Sequence, residues 1–273
     1  MKISTNGALV VTAASSLILA PLSPGIAFAE TDKSKYHLFN PTPGSEMREF
    51  ITDRPDRTES PITVDAGHFQ IETDLINVTR ADGRTSTVYN FMNVKAGITN
   101  NSDLQVVIPS LVKKGDISGF GNTTLRYKVN VFGNEGATAA FGIMPYLTLP
   151  TQSSALGEAN TEGGVIVPFG FDAPNGYSIG AMFQYDRLRN ETDNGFHSQL
   201  ISSFTVSHGL FSGLEGYLEF YSQTEAGADW VATVDGGVIL PINEQLRMDL
   251  GANVGVTEAA DDFNPFLGFS ARF

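Results

Sequence analysis

The segment "LRMDLGANVGV", Leu246–Val256, alternates between apolar residues and polar or small ones. Its Leu, Met, Ala and Val side chains fill every second position, and residues such as Arg247 and Asp249 lie between them. Because successive side chains of a β-strand point to opposite faces, this pattern predicts a strand with one apolar and one polar face. The same period recurs in "TLRYKVNV" at 124–131 and in "LEGYLEF" at 214–220.

Segments with this period continue along most of the chain. We count twelve, at residues 67–79, 86–98, 103–112, 120–131, 138–149, 163–172, 177–187, 196–207, 214–224, 230–240, 245–256 and 264–273. Their length exceeds the roughly five or six residues of a soluble strand and suits the roughly nine to eleven that cross a bilayer at a tilt. Compact turns alternate with longer, more charged connections, as in outer-membrane barrels with an even number of strands.

These features predict an all-β fold for residues 67–273. We expect a closed antiparallel transmembrane β-barrel of about 12 strands, connected as an up-and-down meander, with the compact turns in the periplasm. A soluble β-sandwich would also alternate. Pro109, Pro145 and Pro168 lie inside predicted strands and count against a closed barrel, because it has no edge strand to accommodate them.

The first 29 residues have the features of a secretory signal peptide. Lys2 precedes an apolar stretch, Ala8–Leu22, and a small-residue pattern, Ala27–Ala29. This arrangement predicts cleavage before Glu30 and export. We therefore divide the chain into a signal peptide (1–29), a polar periplasmic lead-in (30–66) and a barrel (67–273) in the bacterial outer membrane.

Composition limits the chemistry. The chain has 273 residues, no cysteine, 17 basic residues and 30 acidic residues, so its formal net charge is −13. A negative protein is a poor match for nucleic-acid phosphates. The absence of cysteine rules out disulfides and thiolate ligands. We find no motif for a metal or a cofactor and expect none.

The last ten residues, "NPFLGFSARF", place Leu267, Phe269, Ala271 and Phe273 on one face. A final Phe with apolar residues at every second position behind it resembles the assembly signal of bacterial outer-membrane barrels. The resemblance assigns this role to Phe269 and Phe273. The partners that it implies are the barrel assembly machinery, outer-membrane lipid and lipopolysaccharide.

A dense polar motif, "TDRPDRTESP" at Thr52–Pro61, precedes the first predicted strand. It is followed by Val64, Gly67, Gln70 and Glu72 in the spacing V-x-x-G-x-x-Q-x-E. Both parts resemble the start of a family of outer-membrane transporter-like proteins named for a MetA pathway of phenol degradation. The motif residues that carry the resemblance are Asp53, Arg54, Pro55, Asp56, Thr58, Glu59, Ser60 and Pro61.

The resemblance extends from about residue 53 to the end of the chain. It implies a barrel that transports small aromatic or hydrophobic compounds. Two roles for the motif stay open. It folds into the periplasmic mouth of the barrel against polar lumen groups, or it forms a solvated lead-in that keeps the first strand soluble before assembly.

If the apolar faces contact lipid, the other faces line the lumen. Charged side chains are costly against hydrocarbon, about 2–4 kcal/mol for Arg or Lys at the midplane. The predicted lumen-lining residues are Glu72, Asp74, Lys95, Arg126, Lys128, Gln184, Asp186, Glu215, Tyr217, Glu219, Tyr221, Asp235, Arg247 and Asp249, together with Gln70, His197 and Arg272. They predict a narrow polar channel for a small-molecule solute, although such groups also pair simply to fill a barrel.

Two other functions remain open. The first is an outer-membrane hydrolase that acts on lipid, with His197 as the one suggestive base; adjacent Ser198 would point to the opposite face of the strand. No Gly-x-Ser-x-Gly or His-Glu-x-x-His motif is present, so we expect no enzyme activity. The second is a structural or adhesive surface barrel, although the longest predicted loop is near 151–162.

Overall fold

The computed structural model describes residues 32–190 and 195–273, so the predicted signal peptide lies outside the described residues. The strands are β1 (Phe69–Ala81), β2 (Arg84–Thr99), β3 (Ser102–Lys114), β4 (Ile117–Gly119), β5 (Thr123–Phe132), β6 (Ala139–Leu149), β7 (Glu162–Ala173), β8 (Tyr177–Arg189), β9 (Phe196–Gly209), β10 (Glu215–Glu225), β11 (Val231–Asn243), β12 (Leu246–Gly255) and β13 (Phe263–Arg272). Three single turns of 3₁₀ helix occur at Gly44–Glu46, Ser154–Leu156 and Pro174–Gly176.

Twelve long strands close into a ring. Each pairs antiparallel with the next along the chain, and β1 pairs with β13 from Gln70 opposite Arg272 to Arg80 opposite Phe263. The short strand β4 pairs only with the end of β3, whose neighbours in the ring are β2 and β5. The prediction of a closed 12-stranded antiparallel meander is confirmed.

The two ends of the barrel differ. The terminal end holds the start of β1, the end of β13 and the compact turns at 100–101, 133–138, 174–176, 210–214 and 244–245. The loop end holds the remaining connections. Here the β3–β4 hairpin extends the wall, so β5 begins at Thr123 rather than at residue 120. The chain passes from this hairpin into β5 through Gly121. The Gly121 amide donates a hydrogen bond to the Pro109 carbonyl at 3.0 Å.

The three prolines lie inside strands without opening the barrel. Pro109 follows the last pair between β3 and β5, at Val107, so its missing amide leaves no gap in that ladder. Pro145 in β6 and Pro168 in β7 lie where the ladders β5–β6 and β6–β7 are interrupted. Proline has no amide hydrogen, and at each of these positions the neighbouring strand that the amide would face forms no ladder pair with the proline.

The barrel surface is apolar outside and polar inside, the reverse of a soluble protein. Exposed residues on the outer face include Leu125, Tyr127, Phe169, Phe183, Leu200, Phe204, Leu218, Phe220, Leu250 and Val254. The largest fully buried side chains include Lys128, Gln105, Glu72, Asp103, Asp235 and Ser270. None of the helices in residues 32–190 and 195–273 is long and apolar enough to cross a membrane.

Candidate functional site: a barrel lumen filled by the Thr52–Pro61 segment

The Thr52–Pro61 segment, hereafter the lumen segment, lies inside the barrel. Residues 33–273 form one compact unit, so the lead-in and the strands pack together. Of the two predicted roles for this motif, the contacts described below match a segment that folds against polar lumen groups.

Asp53 is the most deeply paired residue of the lumen segment. Its carboxylate accepts hydrogen bonds from the Lys128 ammonium at 2.7 and 2.9 Å and from the Lys95 ammonium. Burial alone would raise the pKa of Asp53, but Lys128 and Lys95 hold it well below its usual range. Lys95 also contacts Glu72, so one wall cation joins the lumen segment to β1.

Glu72 binds the backbone of the lumen segment. Its carboxylate accepts the amide hydrogens of Asp53 and Arg54, each at 3.1 Å to the nearest oxygen. Gln70 donates to the Ile51 carbonyl at 3.0 Å and to the Glu72 carboxylate. Glu72 of the V-x-x-G-x-x-Q-x-E pattern therefore binds the motif that precedes it, and Gln70 binds Ile51, the residue before the motif.

Arg54 spans the lumen between two strands. Its guanidinium contacts Asp74 on β1 and donates through Nε to Asp249 on β12 at 3.2 Å. A Cβ at Gly268 on β13 would lie 2.2 Å from the Arg54 Nη2 atom. Glycine at this position leaves room for the guanidinium where it now lies.

The centre of the lumen segment binds β10. The amides of Arg57 and Thr58 donate to Glu219 at 2.9 and 2.8 Å, and the Thr58 hydroxyl lies 2.6 Å from the Ser203 hydroxyl on β9. The Arg57 guanidinium lies over the Tyr221 ring, 4.5 Å from its centroid. This arrangement gives the Arg57 and Thr58 amides hydrogen-bond partners inside the barrel.

The end of the lumen segment binds β5 and β6. Glu59 accepts a 2.6 Å hydrogen bond from Arg126, and the Pro61 carbonyl accepts a 2.9 Å bond from Asn130. Pro61 also packs close to Gly142, where an added Cβ would lie 3.3 Å away. The segment is thus anchored around the circumference of the lumen, and removing one partner of a buried ion pair typically costs about 3–5 kcal/mol.

Two cavities adjoin the lumen segment. The terminal-end cavity has a volume of about 580 Å³ and is lined by the turn at Gly133–Thr138 and by Glu215 and Arg247. The loop-end cavity has a volume of about 480 Å³ and is lined by Asn77 and Asn264, among others. Arg54, Pro55, Asp56 and Glu59 line both, so the segment lies between the two spaces.

The predicted lumen-lining residues occupy interior positions to different degrees. Glu72, Asp74, Lys95, Lys128, Asp186, Tyr217, Glu219, Tyr221, Asp235 and Asp249 are buried, whereas Arg126, Gln184, Glu215 and Arg247 are partly exposed. The buried set holds the lumen segment or fills the wall beside it. That these residues form the lining of a conducting pore remains a prediction.

An apolar cluster inside the lumen was missed by sequence reasoning. Met144, Ile166, Met182, Ile201 and Tyr221 pack together across β6 to β10. Assigning apolar residues to the lipid face hides such a cluster. The signal was present, because Met182 has the same parity as Gln184 and Asp186, which were predicted to face inward.

Buried amides were also missed. Asn93 donates to Gln105, and Asn264 donates to Asn77 at 2.7 Å. Asn77 faces inward because a register shift follows Asp74 in β1, so simple alternation from Glu72 would have pointed it outward. Asn93 and Gln105 follow the predicted parity and could have been found from it.

His197 and Ser198 bind different partners. The His197 ring lies 3.2 Å from Glu225 and 2.9 Å from the Asn190 side chain. Ser198 accepts a 3.0 Å bond from Arg187 and lies 2.9 Å from the Tyr185 hydroxyl. The two neighbours point to opposite faces, as the strand geometry predicts.

Phe273 closes the barrel at its terminal end. Its backbone exchanges hydrogen bonds with Phe69 at 2.8 and 3.2 Å, and its side chain is exposed. Phe269 lies on the outer register of β13, opposite Thr73 of β1. Their role in assembly remains a prediction.

A closed 12-stranded barrel with an apolar exterior and a charged, paired interior defines the outer-membrane class of β-barrel proteins. Residues 52–273 match the family described as "Putative MetA-pathway of phenol degradation", and the chain belongs to this family. Among curated proteins, sequence comparison finds no match.

Solved structures share the fold at low identity. An outer-membrane channel from Pseudomonas putida F1 has 13% identity and a TM-score of 0.58, over 82% of this chain and 100% of the channel. The NanC porin has 9% identity and a TM-score of 0.52, over 74% of this chain and 98% of the porin. At these identities the likeness concerns the fold alone.

Proposed function

We propose that the protein is an outer-membrane channel that passes small molecules through a narrow lumen, with the lumen segment as its constriction. The observation that carries this proposal is the pair of cavities on either side of Arg54, Pro55, Asp56 and Glu59. Twelve strands lie between the eight that side chains fill and the sixteen or more that leave an open channel. A constricted passage is the form that such a barrel supports.

We further propose small aromatic or hydrophobic compounds with a polar substituent as the solutes. The loop-end cavity combines Met182, Ile201 and Tyr221 on one side with Asn93 and Asn253 on another. Its volume of about 480 Å³ is within the range of small-molecule sites. The description of the family supports the same solute class.

Flux through proteoliposomes tests the proposal. Vesicles that contain the folded protein should take up small phenolic compounds faster than sugars of similar volume, and protein-free vesicles supply the baseline. Ile201→Ser removes apolar surface from the loop-end cavity and should reduce the preference for phenolic solutes. Thr205→Ser, on the same strand in the lining of the terminal-end cavity, is the comparison variant and should keep the preference for phenolic solutes. Protein-containing vesicles that admit no solute above baseline would refute the channel.

A further inference from the structure

Four basic residues stand on the outer face of the barrel strands, and all four lie near the loop end. They are Arg80 on β1, Lys113 on β3, and Arg187 and Arg189 on β8. In the order of the ring, β8 is six strands from β1, so the bases form two groups on opposite sides of the barrel.

The strand register shows that the first group, Arg80 and Lys113, faces outward. Arg80 pairs with Phe263, which is exposed on the outer face of β13. Lys113 pairs with Thr87 and lies two residues from Leu111, another exposed outer residue. Both basic side chains therefore follow directly after the apolar belt, on the loop-end side.

The second group surrounds an aromatic ring. Phe183 and Tyr185 are exposed on the outer face of β8, and Arg187 and Arg189 continue the same parity. The guanidinium carbons of the two arginines lie 5.8 and 5.0 Å from the centroid of the Phe196 ring. Two guanidinium groups held about one ring can bind a single phosphate through several hydrogen bonds.

Acidic residues are absent from this outer face in the strands that the structure describes. All of them occupy lumenal register positions: Glu72, Asp74, Asp103, Glu162, Asp172, Asp186, Glu215, Glu219, Glu225, Asp235 and Asp249. The other basic residues of the strands also occupy inward register positions. At the loop end these include Arg84, which pairs with Ala81, and Lys114, which pairs with Ser86. The outer face is thus positive at one rim only.

From this asymmetry we infer that the loop-end rim binds phosphate groups of a glycolipid in the outer leaflet, of the lipopolysaccharide type. A basic side chain just beyond the apolar belt lies at the depth of lipid headgroups, where charge attracts anionic lipid. Carboxylates are missing from the described outer strand face, so the strands place no negative charge beside a phosphate bound there. The loop end then faces the outside of the cell.

Lipid A binding to the folded full-length protein in mild detergent tests this inference. The double variant Arg187→Gln/Arg189→Gln should bind phosphorylated lipid A about 30-fold more weakly than the wild type, as two bases near an anionic headgroup predict. Lipid A stripped of its phosphates should bind the wild type as weakly as it binds this variant. Native mass spectrometry counts the lipids bound at each concentration.

The matched control is Arg84→Gln/Lys114→Gln, which removes the same charge from the lumenal side of the same end and should leave affinity unchanged. Arg187→Lys/Arg189→Lys keeps the charge and should retain most of the binding, and heat-modifiable gel migration verifies that each barrel is folded. Equal binding of phosphorylated and stripped lipid A, or an equal loss in the control pair, would overturn the inference.

Discussion

Single residues decide whether the lumen segment fits its barrel. At Gly268 the nearest atoms to an added Cβ are the Arg54 Nη2 at 2.2 Å and the Thr73 carbonyl oxygen at 2.4 Å. The first can move because it ends a flexible side chain, but the second belongs to the β1–β13 ladder. Close approach, rather than turn geometry, therefore requires glycine here.

We predict that Gly268→Ala destabilises the barrel and displaces Arg54 from Asp74 and Asp249. Overpacking of this kind costs about 1–3 kcal/mol. The measurement is the urea midpoint of unfolding in detergent micelles, followed by heat-modifiable gel migration. Gly209→Ala is the control, because nothing lies within 4 Å of a Cβ added there. Equal midpoints for both variants would contradict the close approach.

Glu59 makes the stability of the folded protein depend on pH. Burial raises its pKa to about 7, helped by Asp53 and opposed by Arg126, Lys128 and Lys95. A carboxyl whose pKa is higher in the folded state than in the unfolded state binds more protons when folded, so its contribution to stability falls as pH rises from about 4.5 to about 7.

We therefore expect Glu59→Gln to reduce the loss of stability that the wild type shows between pH 5 and pH 8. Urea midpoints at the two pH values, for both proteins, measure the effect. Glu158→Gln, in the exposed loop after β6, should keep the pH dependence of the wild type. A wild-type midpoint that rises across this interval, with no change in the variant, would contradict the assignment.

At the scale of elements, the lumen segment and the wall are joined by side chains close enough for a reversible covalent test. The hydroxyl oxygens of Thr58 and Ser203 are 2.6 Å apart, and the chain has no cysteine of its own. Cysteines at these positions would have the short separation that a disulfide requires. Such a bond fixes the segment to β9.

We predict that oxidised Thr58→Cys/Ser203→Cys lowers solute flux through proteoliposomes and that dithiothreitol restores it, because a solute has to displace the segment to pass between the two cavities. Thr124→Cys/Thr148→Cys is the matched control: its hydroxyl oxygens are 2.9 Å apart but join two wall strands, β5 and β6. Flux that oxidation leaves unchanged in the first pair would show that solutes pass an immobile segment.

Strand positions were readable from the sequence because lipid enforces them. Residues that face hydrocarbon are mostly apolar, so alternation marks both the strand and its outer face, as in Leu125, Tyr127 and Val129 of β5. Alternation predicts the wrong face where the backbone of a strand is irregular. The register shift after Asp74 and the positive φ of Asn90 (51°) occur within β1 and β2, where a single alternation from one end of the strand to the other does not hold.

For the molecule as a whole, the partners of the lumen segment could not be predicted. A sequence identifies Asp53 and Lys128 as charged, but they are paired only because the segment that precedes β1 lies inside the barrel, where Asp53 is next to Lys128 of β5. The apolar lumen cluster around Met182 was hidden for a related reason. The rule that assigns apolar residues to the lipid face places all of them outside the barrel, so it does not predict an apolar cluster inside the lumen.

The whole lumen carries an excess of acidic groups. Carboxyl groups in and around the segment are Asp53, Asp56, Glu59, Glu72, Asp74, Asp103, Asp186, Glu219, Asp235 and Asp249, whereas the bases are Arg54, Arg57, Lys95, Arg126 and Lys128. The terminal-end cavity adds the acids Glu49, Glu135, Asp172 and Glu215 and the bases Lys33, Arg48 and Arg247, so the acidic excess remains. A lumen with one predominant sign concentrates ions of the opposite sign.

We therefore expect the channel to prefer cations. The reversal potential across a planar bilayer under a KCl gradient measures this preference, and raising the salt concentration should weaken it because mobile ions screen the lumen charge. Glu215→Gln should reduce the cation preference, because this carboxylate lines the terminal-end cavity and has no salt bridge to any residue in the described ranges 32–190 and 195–273. Glu258→Gln, in the β12–β13 loop, carries the same charge change outside both cavity linings and should leave the reversal potential unchanged. A wild-type reversal potential on the anion side would mean that Arg54, Arg57 and Arg126, rather than the carboxylates, set the field in the conducting path.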